Sequence, residues 1–273
     1  MRSLLGVLGW PLEHTLSPAI HNSAFRRLDL DWVYLPFPVA PEHLRDAVAG
    51  LRALGAVGAN VTMPHKEAVI EHLDDLSGDA RAIGAVNTIQ RIGDQLIGHN
   101  TDVDGFASFI RDDAGLDLEG ARCLVAGAGG AARAVVAALD LLGAAQVTVA
   151  ARRPEQAQWL GRGSTTPRVV ALGWDDGWRR AAEFDLIVNA TPLGTDGDLV
   201  AEAELVEGQA VVDLVYNPPV TRLVERARAR GAAGWGGLGM LVHQAAASLR
   251  IWSGQEPPLE AMSVAAMHAM SRH

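Results

Sequence analysis

The sequence has 273 residues, which is long enough for one large domain or two smaller ones. Hydrophobic residues make up 49% and the formal net charge is -9, a balance that is typical of acidic globular proteins and argues against nucleic acid as a partner. No apolar run approaches the roughly 20 residues of a membrane span. The single cysteine, Cys123, can form no intramolecular disulfide and suits a reducing compartment, so we expect a cytoplasmic protein.

Short β-type runs alternate with alanine- and leucine-rich helical stretches, which is the pattern of parallel α/β units. The predicted strands are LLGVLG (4–9), WVYLPFPV (32–39), GANVT (58–62), RCLVAGA (122–128), QVTVAA (146–151), FDLIVNA (184–190) and AVVDLVY (210–216). We interpret the first as a strand rather than a signal segment, because Glu13 follows it without a small-residue cleavage site.

Lys66 is the only lysine among the 23 lysines and arginines of the chain. Lysine is a compact donor that can release its proton, whereas arginine stays charged, so this residue is a candidate catalytic group. A surface lysine in an arginine-biased composition is the alternative. Pro64, two residues earlier, is a favoured first-turn residue, and we therefore predict that Lys66 lies in the first turn of a helix.

The stretch AVNTIQRIGDQLIGHNTD (85–102) predicts a β-hairpin instead of an α/β unit. Gly93 and Asp94 suit a two-residue turn with glycine at the first central position. The pairing then places Asn87 opposite Asn100. Further polar residues lie beside this pair: Thr88, Thr101 and Asp102. Strand-end caps and turns explain isolated Asn or Asp residues, but a convergent pair indicates a ligand site.

A glycine-rich segment, RCLVAGAGGAARAVVAAL (122–139), places a G-x-G-x-x-A pattern between a predicted strand and a predicted helix. Such a loop allows a tight turn, a close backbone approach to pyrophosphate, and close packing of the helix on the strand. The phosphate would bind at the helix N-terminus. The candidate dinucleotide contacts are Gly127, Ala128, Gly129, Gly130, Ala131 and Ala132.

The end of the next predicted strand indicates which dinucleotide is bound. An NAD enzyme usually has Asp or Glu there, whereas arginine accommodates the additional phosphate of NADP. This chain has Ala151, Arg152 and Arg153, with no acidic residue before Glu155. The pattern favours NADP, although two arginines could also simply begin a solvated helix.

Two later strands end in turn-forming residues, NATPLG (189–194) and DLVYNP (213–218). Ligands bind at the carboxyl ends of parallel strands, so Asn189, Thr191 and Tyr216 are candidates for the nicotinamide side of the site. Further cofactor candidates in and beyond these loops are Ala190, Leu214, Gly237 and Met240.

Eight stretches, in this order, resemble the shikimate dehydrogenase family along nearly the whole chain: GWPLEHTLSPAIHN, NVTMPHKEA, IGAVNT, GHNTDVDG, GAGGAARA, NATPLG, VYNP and GMLVHQAA. The resemblance implies NADP-linked, reversible reduction of 3-dehydroshikimate to shikimate in aromatic biosynthesis. It also implies an α/β fold with a substrate-binding domain at 1–102, completed by a returning C-terminal helix at 238–273, and a Rossmann-type, doubly wound NADP-binding domain at 103–237.

The resemblance also assigns roles to single residues. It implies that Lys66 and Asp102 form the catalytic pair, with Lys66 as acid/base or as donor to the reacting oxygen. The implied or candidate substrate contacts are Thr15, Ser17, Asn60, Thr62, Asn87, Asn100, Tyr216 and Gln244. Thr15 stands where the family most often has serine. At 151–153 the chain departs from the common Asn-Arg-Thr, although Arg152 keeps the phosphate-binding arginine.

Two other functions remain open at this point. One is a quinate/shikimate dehydrogenase of broader specificity that uses NAD, and the other is a dinucleotide-sensing regulator without catalysis. The missing acidic residue argues against the first, and Lys66 with Asp102 argues against the second. We expect a small-molecule substrate, a monomer or homodimer, and no metal, since the spacings of His14, His21 and His65 match no metal site.

Overall fold

The computed structural model describes residues 2–13, 15–157, 168–194 and 203–271. The chain forms two compact units. Unit 1 comprises Met1–Gly105 and Val242–His273, and unit 2 comprises Phe106–Leu241. In the residues described, no helix combines the length and the apolar character needed to cross a membrane.

We number the strands and helices of the described residues in chain order. The strands are β1 (Ser3–Gly9), β2 (Trp32–Pro38), β3 (Gly58–Val61), β4 (Asp75–Leu76), β5 (Thr88–Ile92), β6 (Gln95–His99), β7 (Arg122–Ala126), β8 (Gln146–Ala151), β9 (Arg168–Gly173), β10 (Leu186–Asn189), β11 (Ala210–Asp213) and β12 (Ala233–Gly236). The α-helices are α1 (Ser17–Arg27), α2 (Leu44–Ala53), α3 (Gly78–Ile83), α4 (Asp102–Ser108), α5 (Gly130–Leu141), α6 (Trp174–Arg179), α7 (Arg222–Ala229), α8 (Leu238–Ser253) and α9 (Leu259–Met270).

The sheet of unit 1 has the strand order β2-β1-β3-β5-β6-β4. β1 is parallel to β2 and β3, whereas β5 is antiparallel to both β3 and β6. The carboxyl ends of β1, β3 and β6 therefore meet the amino end of β5 at one edge. One face packs on a core that includes Leu8, Val48, Leu51, Val61 and Ile89.

The sheet of unit 2 is parallel throughout and has the order β12-β11-β10-β7-β8-β9. It extends outward from β7 through β8 to β9 on one side, and through β10 and β11 to β12 on the other. This is the doubly wound arrangement, in which ligands bind where the strand order reverses. The reversal lies between β7 and β10, where Ala126 is paired with Asn189. Cys123, in β7, is fully buried.

All seven strands predicted from the sequence are present. The hairpin prediction is also confirmed, since Ile92 pairs with Gln95 and Thr88 pairs with His99. Gly93 has a φ of 61°, the left-handed conformation that a first-position turn glycine adopts. Strands β4, β9 and β12 were not predicted. β9 contains Val169 and Val170, a usable signal, but β12 (AGWG) has two glycines and little strand propensity.

Candidate active site

The polar residues predicted to bind substrate in unit 1 lie around the edge where β1, β3 and β6 end and β5 begins. Lys66 follows β3, Asn87 precedes β5, and Asp102 follows β6. Gln244 reaches the same group from α8, where its Oε1 lies 3.4 Å from Nδ2 of Asn87. The topology of the sheet and the position of α8 thus bring together side chains from four separate segments.

Lys66 and Asp102 form an ion pair, with 2.5 Å between Nζ and Oδ2. The side chain of Asp102 is 5% exposed and that of Lys66 is 19% exposed. The other carboxylate oxygen, Oδ1, accepts a hydrogen bond of 2.8 Å from Nδ2 of Asn87. A buried carboxylate is costly unless donors match its oxygens, and each oxygen of Asp102 has such a donor.

The prediction that Lys66 lies in the first turn of a helix is wrong. Pro64 lies inside a four-residue turn that the N–H of His65 closes by donating to the carbonyl of Thr62, at 2.9 Å. Lys66 follows this turn and precedes a short 3-10 helix, Ala68–His72. Its carbonyl accepts from the N–H of Val86 at 2.7 Å, which ties the turn to the segment that leads into β5.

Asn87 contacts several of the other polar residues at this edge. Its Nδ2 contacts Oγ1 of Thr101 at 2.9 Å, in addition to Asp102 and Gln244. Its Oδ1 accepts from the backbone N–H of Thr101 at 2.8 Å, and this contact fixes which side of the amide is oxygen. The side chain is 2% exposed, so its orientation is determined by protein partners.

Asn60 and Asn100, both predicted to contact substrate, are buried and hydrogen-bonded to protein groups in this structure. Oδ1 of Asn60 accepts from the phenol of Tyr34, and Nδ2 reaches three protein acceptors on Asn87, Thr88 and Ser248. Asn100 donates to the carbonyl of Ala85 and accepts from the N–H of Asp102, at 2.9 and 3.0 Å. Because these amides are buried and hydrogen-bonded to protein groups, they hold neighbouring residues of the site in place.

Ser248 was not predicted as a site residue. Its hydroxyl lies 2.8 Å from Oγ1 of Thr88 and 3.1 Å from that of Thr101, and it donates to the carbonyl of Gln244. One buried oxygen thus connects the start of β5, the end of β6 and helix α8. The sequence feature that could have identified Ser248 is its position four residues after Gln244, which places both residues on one helix face.

Thr15, Ser17 and Thr62 lie at the same edge of unit 1. Thr15 and Ser17 follow β1 and lead into α1, where Oγ1 of Thr15 accepts from the N–H of Ser17 at 3.3 Å. Thr62 directly follows β3 and is half-buried. Three hydroxyls therefore stand beside the segment that carries Lys66.

The glycine loop of unit 2 fits a dinucleotide phosphate. Gly127 has a φ of 116°, and a Cβ added to it would lie 3.0 Å from the carbonyl of Ala190. A Cβ on Gly129, the N-cap of α5, would meet no atom within 4 Å, so the backbone there is open to an approaching ligand. No side chain caps this helix start and no acidic residue lies in its first turn, which leaves N–H donors for an anion.

The remaining residues of the predicted loop lie in order around that helix start. Ala128 is half-buried, Gly130 and Ala131 open α5, and Ala132 is fully buried against the sheet. Ala132 thus has the small side chain that close packing of helix on strand requires.

Ala151 ends β8 and is buried, and Arg152 and Arg153 follow it with exposed side chains. Both guanidinium groups are therefore available at the carboxyl edge of the sheet. After these arginines, the described residues form a 3-10 turn, Pro154–Gln156.

Asn189 is fully buried at the end of β10, where Oδ1 accepts from both N–H and Oγ1 of Thr191, at 3.1 and 2.7 Å. Its Nδ2 donates to Oδ1 of Asp213 at 2.8 Å. Asp213 was not predicted as a functional residue. Burial raises the pKa of its carboxyl, and hydrogen bonds from Thr221, Val215 and Asn189 oppose that increase. Asn189 thus shapes the loop that carries Ala190 and Thr191, which are half-buried.

The last candidates of unit 2 follow β11 and β12. Leu214 and Tyr216 are half-buried, and burial raises the pKa of the Tyr216 phenol. Gly237 has no room for a side chain, because a Cβ would collide with the backbone of Leu214. Met240 is 7% exposed within α8.

In the part of the chain that the structure describes, no group of three or more His, Cys, Asp or Glu side chains could hold a metal ion. His65 is buried, with Nε2 2.7 Å from the carbonyl of Val39. His21 is buried in an aromatic stack, and burial lowers its pKa to about 3. His14 lies outside the described residues.

Unit 2 thus has the architecture of a dinucleotide-binding domain, and unit 1 has a lysine–carboxylate pair surrounded by amides and hydroxyls. The family model "Shikimate dehydrogenase substrate binding domain" matches residues 7–89, and "Shikimate 5'-dehydrogenase C-terminal domain" matches residues 237–266. The shikimate dehydrogenase (NADP(+)) of Methanopyrus kandleri is 43% identical, over 97% of this chain and 95% of that protein.

Solved structures agree with this result. Shikimate 5-dehydrogenase from Thermus thermophilus, in complex with NADP(H) and shikimate, is 38% identical with a TM-score of 0.87, covering 98% of this chain and 99% of that one. Quinate dehydrogenase from Corynebacterium glutamicum, in complex with NAD, is 30% identical with a TM-score of 0.87, covering 97% and 99%. The chain belongs to the shikimate dehydrogenase family.

The packing of α4 on α8 beside Gln244 leads to a prediction for Gly105→Ala. The new Cβ would lie 2.6 Å from Cβ and 2.8 Å from the backbone N of Gln244, so the two helices must separate. We expect a loss of about 1 to 3 kcal/mol in the free energy of unfolding, the usual cost of overpacking. Urea denaturation followed by circular dichroism measures it.

The matched control is Gly50→Ala in α2, where the added Cβ meets nothing within 4 Å. That change replaces a helical glycine in open space and should raise stability by about 0.5 to 1 kcal/mol. Equal effects of the two substitutions would show that the approach of α4 to Gln244 does not require glycine.

Proposed function

We propose that this protein catalyses the reversible, NADP-linked reduction of 3-dehydroshikimate to shikimate. The observation that carries the proposal is the pairing of Lys66 Nζ with Asp102 at 2.5 Å, beside Asn87 and Gln244. Family membership supports the reaction, and the glycine loop with Arg152 supports the cofactor.

Shikimate has a cyclohexene ring with several hydroxyls and a carboxylate, and a site for it needs many short polar side chains. Each buried hydroxyl left unpaired costs about 1 to 3 kcal/mol. Candidates for direct contact are the groups at the edge of unit 1 that retain exposure: Thr15, Thr62, Lys66 and Gln244. Ser17 and Asn87, at the same edge, are buried.

Lys66 acts on the oxygen that changes between ketone and alcohol. When bound, NADPH supplies the hydride for this reduction. Nζ of Lys66 donates a hydrogen bond to the carbonyl oxygen and then a proton as negative charge develops on that oxygen. Asp102 holds Nζ in place, and Asn87 holds Asp102. In the reverse direction Lys66 accepts the hydroxyl proton.

The two units have separate proposed roles. Unit 1 is the substrate-binding domain, predicted as 1–102 with 238–273, and unit 2 is the NADP-binding domain, predicted as 103–237. In unit 2, the α5 N-terminus would hold the pyrophosphate and Arg152 the additional phosphate, and Tyr216 remains a predicted ligand contact. We also propose a cytoplasmic location, supported by a buried, free Cys123, and a monomer or homodimer.

An NAD-linked enzyme acting on quinate is the second candidate, because the chain is 30% identical to a quinate dehydrogenase in complex with NAD. The absence of an acidic residue at 151–153 favours NADP instead. A sensor without catalysis would have no use for the ion pair of Lys66 with Asp102.

The initial rate of nicotinamide reduction tests the proposal directly. We expect turnover with shikimate and NADP, and rates at least tenfold lower when quinate or NAD is substituted. Comparable rates with quinate and NAD would establish the second candidate. No turnover with any of the four pairs would contradict both enzyme proposals.

Lys66→Arg should reduce kcat by at least about 100-fold, since general acid–base catalysis typically contributes 10² to 10⁴. Arginine keeps the charge but does not release its proton, and its planar group is larger than an ammonium. Steady-state kinetics in both directions measure the loss.

Arg81→Lys is the control, because it exchanges the same two side chains at an exposed ion pair with Asp75. It should leave kcat unchanged. Near-normal turnover of the Lys66 variant would exclude proton transfer by this residue.

Arg152→Ala should raise the KM for NADP about tenfold and leave the KM for NAD unchanged. A charged hydrogen bond contributes about 1.5 to 3 kcal/mol, and 1.4 kcal/mol corresponds to a factor of ten. Arg153→Ala, an equally exposed neighbour, shows whether the effect belongs to one arginine. An equal rise in KM for both cofactors would show that Arg152 does not recognise the phosphate.

A further inference from the structure

Tyr34, in β2, is a fully buried tyrosine that is not among the predicted site residues. Its phenol donates a hydrogen bond of 2.6 Å to Oδ1 of Asn60. One buried hydroxyl on β2 therefore holds a residue near the end of β3.

The contact with Asn60 leads to the reacting pair through hydrogen bonds. Nδ2 of Asn60 lies 3.1 Å from Oγ1 of Thr88, and Thr88 donates to Oδ1 of Asn87 at 3.0 Å. Asn87 in turn holds Asp102, and Asp102 holds Lys66. Every member of this path belongs to unit 1.

The phenol proton and the carbonyl of Asn87 together set the orientation of the Asn60 amide. The phenol donates to Oδ1 at 2.6 Å and the Asn87 carbonyl accepts from Nδ2 at 3.1 Å, so nitrogen faces Thr88 and Ser248. Burial raises the pKa of Tyr34 well above its ordinary value, so the phenol is a donor at neutral pH. Without that proton, Oδ1 of Asn60 would lose the donor that the described residues give it, and the amide would be held from one side only.

The tyrosine ring itself is held from several sides. It stacks on His21 with the ring centroids 4.4 Å apart and the planes 13° from parallel. The backbone N–H and carbonyl of Tyr34 both bond to the Asn22 side chain at 2.9 Å. Burial lowers the pKa of His21 to about 3, so the stacked imidazole is uncharged at neutral pH. A fixed ring gives its hydroxyl a fixed position.

We propose that Tyr34 is a positioning residue that acts through Asn60 and the hydrogen bonds of Thr88, Asn87 and Asp102 to hold Lys66 in place. The assignment of substrate rests on the proposed function.

Tyr34→Phe tests the proposal, because it removes one oxygen and keeps the ring, the stack and the backbone bonds. We expect kcat for shikimate oxidation to fall about fivefold, with the KM for NADP unchanged. Loss of packing alone would lower the melting temperature without lowering kcat. Ser253→Ala is the matched control, since its hydroxyl bonds only within and just after α8.

A second measurement needs neither substrate nor cofactor. Lys66 is the only lysine, so ¹³Cε-lysine labelling gives one resonance from the site. Tyr34→Phe should shift that resonance and Ser253→Ala should not. An unchanged lysine resonance together with kinetic constants within twofold of the native protein overturns the proposal. If the native protein does not oxidise shikimate, the proposed function fails, while the lysine resonance still decides whether Tyr34 positions Lys66.

Discussion

The site in unit 1 depends on one buried carboxylate, Asp102. Taking a carboxylate out of water is unfavourable by several kcal/mol unless its oxygens are matched by donors. Lys66 and Asn87 supply those donors, and Asn100 binds the backbone N–H of the same residue. Each donor comes from a different segment, so the hairpin register and the turn before the 3-10 helix must both be correct for the charge to remain buried.

The side chains around this carboxylate form two layers with different structural roles. In the inner layer, Asn60, Thr88 and Ser248 bond to one another and to the backbone. The outer layer contains Lys66, Thr62 and Gln244, which retain exposure. Asparagine suits the inner layer because its amide donates and accepts at once and therefore connects unlike neighbours. The outer layer is accessible to a ligand, whereas hydrogen bonds to other protein groups hold the inner layer in place.

Sequence patterns predicted features that depend on local chemistry. Strand runs, the turn at Gly93 and the glycine loop each have their cause within a few residues. The helix predicted at Lys66 was wrong because Pro64 is used in a turn, and proline suits both structures. The engagement of Asn60 with Ser248 joins residues 188 positions apart, and no local pattern predicts it. The same holds for Gly105, because only the packing of α8 leaves no room for a side chain at this position. Asn60 and Asn100 have the side chains of ligand contacts, and only the fold reveals that protein groups already engage them.

Unit 2 contains a second carboxylate–asparagine pair, and the comparison bears on why Lys66 is a lysine. Asp213 binds Asn189 much as Asp102 binds Asn87, and both asparagines accept a backbone N–H from a threonine. Yet the partners that the described residues give Asp213 are all neutral: Asn189, Thr221 and the N–H of Val215. Burial still raises the pKa of the Asp213 carboxyl, although these donors oppose the increase. The hydrogen bonds of a buried aspartate can thus be supplied without a cation. Because a buried ion pair adds little stability over neutral groups, the lysine is better explained by the proton and the positive charge that it brings to a reacting oxygen.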